Sequence, residues 1–135
     1  MKRGFTLVEL LVVIAILAIL STLGVTNFQS ARIKARDLAR KSDLQTIAKS
    51  LEAYVNDHKE YPITDLSWGS AFTDGQTIYV SKLPDNITQE YFYESNGKTY
   101  TLYTHLENTQ DSSVFTPAFD GCGSTCNYKL MSTNQ

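Results

Sequence analysis

The chain has 135 residues, 42% of them apolar and 19% charged, with a formal net charge of −2. That length is one domain's worth of protein, and the composition is too apolar for global disorder. The charge excludes a generally basic nucleic-acid binder, and two cysteines are too few for a disulfide scaffold or, by themselves, a zinc site.

The charges fall into blocks. Lys2 and Arg3 give +2, Glu9 stands alone, and the 22 residues 10–31 carry no charge. Arg32, Lys34, Arg36, Arg40 and Lys41 against Asp37 form a basic collar of +4. The remaining 94 residues hold five lysines and twelve acids, −7. As a helix the uncharged run would measure about 33 Å, close to a bilayer core of roughly 30 Å. Its densest part, residues 10–20, also has the length of a secretory signal's apolar region. No small-x-small pair marks a cut there, and the helical pattern continues past the run.

Leu44, Ile47, Ala48, Leu51, Tyr54, Val55 and His58 step by three and four residues, one stripe of a helix. Ala31, Ala35, Leu38 and Ala39 extend that stripe back through the collar. Pro62 disfavours helix at Tyr61 and sets the stop. The pattern predicts one helix from about Phe5 to His58, near 80 Å long. Residues 62–90, with Pro62, Gly69, Gly75 and Pro84, read as a long ordered loop containing a short strand at Ile78, Tyr79 and Val80. Residues 91–93 and 100–106 flank Asn96-Gly97, a pair suited to a tight hairpin turn, and a last strand is expected at 127–131. The fold class is α+β: a long N-terminal helix whose second half packs on a small antiparallel sheet of three to four strands.

Gly4-Phe5-Thr6-Leu7-Val8-Glu9 is the most informative stretch. A carboxylate at the mouth of an apolar helix is costly unless paired or kept near water. Glu9 is either an interfacial residue at a helix end or a partner for a cation. A cut after Gly4 would create such a cation, the α-amine of Phe5, which a neighbouring staggered copy could offer to Glu9.

A basic leader, Gly4, then Phe5-Thr-Leu-Val-Glu9 and a long apolar run resembles the class III signal of type IV pilins and pseudopilins. The resemblance implies cleavage between Gly4 and Phe5 by a prepilin peptidase and N-methylation of Phe5. It also implies that Phe5 and Glu9 guide the stacking of subunits whose helices form a filament core. His58-Lys-Glu-Tyr61-Pro62 is similar to the Asn-Gly-x-Tyr-Pro that closes the helix of major pseudopilins. Leu83-Pro84-Asp85, Tyr91-x-Tyr93, Gly97, Tyr100-x-Leu102 and Leu106-Glu107-Asn108 resemble that group's sheet. Two departures stand out: Thr26 and Asn86 occupy positions where relatives carry proline. Without the first, Gly24 is the place where the helix would kink or melt.

Cys122 and Cys126 are either a disulfide or two thiols. In a head exported across the inner membrane, oxidising conditions favour the disulfide. A metal pair would need a nearby histidine, and His105 is far upstream. Asp111 and Asp120 lie in polar, carbonyl-rich turns of the kind calcium prefers, and the resemblance implies a C-terminal calcium loop; without calcium they are solvated acids. Asn86-Ile-Thr88 matches a glycosylation sequon. His58 and His105 belong to no triad or metal motif, and no nucleophile elbow, phosphate loop or carboxylate pair points to an enzyme. The tyrosines and phenylalanines read as sheet and core, with surface adhesion as the second reading. The collar has three candidate partners: lipid head groups, the acidic heads of neighbouring copies, or DNA. Two basic residues before the apolar run against five after it point to the opposite membrane orientation from a pilin, but long domains cross regardless of charge.

The organisation expected is a leader at 1–4, a transmembrane and filament-core helix at 5–31, an amphipathic half at 32–58, and a globular head at 59–135. The function expected is a structural subunit of a type IV pilus-type filament, not an enzyme. Its alternatives are the major pseudopilin of a type II secretion pseudopilus and a membrane-anchored extracytoplasmic binding module. Partners would be further copies in a homo-oligomeric filament, inner-membrane lipid before assembly, the prepilin peptidase, and assembly machinery with minor pilins. The head would lie outside the cytoplasm, on a periplasmic or surface filament.

Overall fold

The computed structural model describes residues 4–85 and 90–133, apart from the side chains of residues 22–27 within the helix. Expectations at Gly24, Thr26 and Asn86, and at the leader's Lys2 and Arg3, therefore lie outside the described residues.

Helix α1 runs Leu7–His58. Its start is set by a cap. The Thr6 backbone N–H and hydroxyl both donate to Glu9 Oε2 at 2.8 Å, and Glu9 N–H donates back to Thr6 Oγ1 at 3.3 Å. This reciprocal pair is a capping box, which satisfies backbone donors that the first helical turn leaves open. The stop is set by Lys59, whose φ is +65°, with its N–H donating to Val55 O at 2.8 Å. That is a single left-handed residue closing the helix, three residues before the proline expected to end it.

Contacts divide the chain into two compact units, Met1–Ala35 and Arg36–Gln135. In the first, the described apolar side chains of the helix run from Leu10 to Leu20 and resume at Phe28. Among the described residues no helix is long and apolar enough to cross a membrane.

In the second unit, strands β1 (Phe72–Thr73) and β2 (Ile78–Val80) make a small ribbon, and β5 (Phe119–Asp120) and β6 (Thr125–Cys126) make another. The main sheet is antiparallel with order β3-β4-β7, from Tyr91–Ser95, Tyr100–Thr104 and Tyr128–Met131. Its registers pair Tyr93 with Leu102, and Leu102 with Leu130. The three-stranded count and both expected hairpin strands match the reading of the sequence.

The turn itself sits one residue later than Asn96-Gly97. Asn96 N–H donates to Thr99 O, and the Asn96 carboxamide oxygen accepts from the Lys98 and Thr99 N–H groups at 2.9 and 2.8 Å. Gly97 and Lys98 are therefore the central residues, and Gly97 supplies the positive φ of +84°.

The core forms where period 3.6 meets period 2. Leu44, Ile47 and Leu51 are fully buried against Tyr91, Tyr93, Tyr100 and Leu102 of alternate strand positions. Tyr61, Leu66 and Leu83 close its edge from the loops. On the other face of the sheet, Phe119 meets Tyr103 edge-on at 4.8 Å, with Phe92 and Phe115 beside them. Most of the aromatic residues thus pack, as expected.

The extension of the apolar stripe through the collar fails. Leu38 is 66% exposed, and Asp37 beside it is only 3% exposed. The helix turns a polar residue inward here because the facing loop offers backbone N–H groups rather than apolar side chains.

Candidate functional site

Two groups of residues singled out by the sequence fall one in each unit. In the first, Gly4 and Phe5 precede the helix in irregular chain. Phe5 is 91% exposed, and nothing stands within 4 Å of a side chain built on Gly4. The Gly4–Phe5 bond is thus uncovered among the described residues. Immediately after it, Glu9 is held in its rotamer by the Thr6 cap. Both bonds go to Oε2, so Oε1 keeps acceptor capacity among the described residues. Neither the interfacial reading nor the pairing reading of Glu9 anticipated the cap, although Thr6-x-x-Glu9 is a legible capping-box pattern.

In the second unit the collar is a clamp. Arg36 grips Glu107 with a fork, Nε to Oε1 at 2.8 Å and Nη2 to Oε2 at 2.5 Å. Arg40 adds Glu107 at 2.9 Å, Asp37 at 3.1 Å and Glu90 at 3.3 Å. Asp37 in turn accepts the backbone N–H groups of Glu107 and Asn108 at 2.9 and 2.8 Å. The hydrogen bonds from Arg36 and Arg40 lower the Glu107 pKa to about 2. Lys41 Nζ donates to Asp111 Oδ2 and Ser113 Oγ, both at 2.8 Å, and lies 5.2 Å from the Tyr128 ring centre. The collar's expected partners were lipid, neighbouring heads or DNA. Three of its five cations instead bind the chain's own acids; of those five, Arg32 and Lys34 make no ion pair among the described residues.

Cys122 and Cys126 form the disulfide, closing the β5–β6 ribbon. The calcium candidates do not form a site. The Lys41 ammonium and Ser113 take up the Asp111 carboxylate, Asp120 lies in β5, and among the described residues no three acidic, histidine or cysteine groups converge. A cation entering at Asp111 would meet an ammonium already there. His105 Nδ1 donates to Thr125 O, 2.7 Å away, and the His58 ring stacks on Tyr54.

The chain is similar to known proteins over most of its length. The family described as Prokaryotic N-terminal methylation motif matches residues 1–25. The type II secretion system core protein G of Dickeya chrysanthemi is 38% identical over 69 residues, covering 51% of this chain and 45% of that protein. Its counterpart in Pseudomonas aeruginosa is 41% identical over 63 residues, 47% of this chain and 44% of the relative. The chain thus spans less than half the length of these two relatives. With the counterpart in Vibrio cholerae serotype O1, identity is 30% over 130 residues, 89% of this chain and 82% of the relative. No solved structure matches.

Proposed function

Because the chain belongs to the family of the type II secretion system core protein G, we propose that it is the major pseudopilin of a type II secretion pseudopilus. The similarity to the Vibrio protein, which runs through helix and head alike, carries this reading. The methylation motif alone fits any pilin-type filament. A type IV pilus-type subunit is the coarser statement, and the secretion pseudopilin is the finer one that replaces it. The role is structural, as a building block without a catalytic site.

The mechanism follows from the two groups of residues. The peptidase cuts between Gly4 and Phe5, and the new α-amine is methylated. Before assembly the apolar half of α1 rests in inner-membrane lipid with the head outside the cytoplasm. On extraction that surface passes to the helices of neighbouring copies, so little apolar area need face water. Glu9 then pairs through Oε1 with the amine of an adjacent Phe5, while Thr6 keeps its carboxylate aimed. A buried pair of this kind rewards one register and penalises others, since a misplaced subunit leaves a charge unpaired in an apolar core.

Two experiments test the reading. A deletion strain should lose protein secretion and keep its surface pili; normal secretion with lost surface pili would return the protein to the pilus class. Glu9→Ala should be processed to N-methyl-Phe5 by mass spectrometry yet fail to assemble. Thr6→Ala, which removes the hydroxyl half of the cap and keeps the carboxylate, should assemble. Normal filaments from Glu9→Ala would refute the pairing.

A further inference from the structure

The loop that follows β4 crosses helix α1 with its acids facing the helix, and each acid meets a cation that the helix itself provides. The last of these contacts differs from the others. Lys41 Nζ touches three parts of the fold at once: Asp111 Oδ2 and Ser113 Oγ in the loop, each at 2.8 Å, and the ring of Tyr128 in β7 at 5.2 Å. The same carboxylate accepts the Ser113 N–H at 3.0 Å and the Ser113 hydroxyl on its other oxygen. Two oxygens and an aromatic face around one positive charge are the surroundings of a bound cation. The site is held by a chain that cannot diffuse away. Both side chains are mostly covered, at 21% and 24% exposure, and the bonds from Lys41 and Ser113 hold the Asp111 carboxyl well below the usual carboxylate range.

We infer that Lys41 is the built-in cation of this loop, supplying the positive charge where the resemblance implies a calcium ion, so that the head folds without divalent metal. A calcium ion needs six to eight oxygens, most of them anionic or carbonyl. Here the one carboxylate on offer already faces an ammonium, whose like charge opposes a second cation at that distance. The substitution has a consequence for tuning. A metal-held loop loosens when the ion is scarce, whereas a lysine-held loop responds only to pH and salt.

The test uses the full chain in detergent, with calcium chloride as the only added probe. Thermal unfolding is followed by near-ultraviolet circular dichroism in millimolar calcium and in excess chelator. The wild type should melt within about 1 °C in the two conditions, and Lys41→Met should melt about 4–8 °C lower in both, the shift expected for losing one charge-assisted contact. A wild type that melts 5 °C or more higher in calcium than in chelator would overturn the inference, and so would Lys41→Met melting like the wild type. Lys41→Arg, which keeps the charge, should recover most of the loss. The inference stands apart from the secretion reading, which these melts leave unchanged.

Discussion

Asp37→Ala should be among the most damaging single changes in the head. The carboxylate is 3% exposed and accepts the N–H groups of Glu107 and Asn108, and Arg40 leans on it at 3.1 Å. Alanine leaves both part-buried N–H groups without an acceptor, at about 1–3 kcal/mol each. Removing the carboxylate also relieves its own desolvation, and Arg40 keeps Glu90 and Glu107, so the net loss is about 3–5 kcal/mol. Against a total of about 5–15 kcal/mol for a domain of this size, that is a large fraction. Urea unfolding followed by the fluorescence of Trp68, the single tryptophan, which stacks on Tyr91 at 5.8 Å, measures it. The informative control is Leu38→Ala. A helix read by apolar periodicity would make Leu38 the core residue, yet it is 66% exposed, so its truncation should cost under about 1 kcal/mol. A Leu38→Ala variant less stable than Asp37→Ala would refute the reasoning.

Two further outcomes follow from the geometry. Lys59 holds a left-handed φ of +65° that costs a non-glycine residue about 1–2 kcal/mol. Lys59→Gly relieves this and gives back about 0.5–1 kcal/mol in chain entropy. The net should be a gain of roughly 0.5–1 kcal/mol, read as a higher urea midpoint at unchanged slope, whereas Lys59→Val should lower it. The Glu107 pKa is depressed from 4.5 to about 2, so its contribution to stability is fully present above about pH 5 and is lost as the pH falls through 2. Glu107→Gln should flatten that part of the acid unfolding curve; an unchanged curve would remove Glu107 from the clamp.

Much of this architecture was legible in the order of residues. Leu44, Ile47 and Leu51 declare a helical face because each apolar group must leave water, and Gly97 declares a turn because few other residues tolerate its φ. The capping box at Thr6 and Glu9 was equally legible, because its two partners lie only three positions apart. The collar was not. Arg36, Arg40 and Lys41 look identical in sequence to Arg32 and Lys34, and their acceptors at Glu107 and Asp111 lie about seventy positions along the chain.

The sequence by itself determined the long helix, its processing motif, the hairpin and the division into apolar and charged halves. All of these depend on neighbours within a few positions, where backbone geometry converts spacing directly into a face or a turn. Only the tertiary structure decided that Asp37 rather than Leu38 points inward, that three collar cations close on the chain's own loop, and that an ammonium sits at Asp111. Each of those depends on which donors and acceptors the returning chain brings to the helix. A buried charge is settled by the partner it meets there, and local periodicity carries no record of that partner.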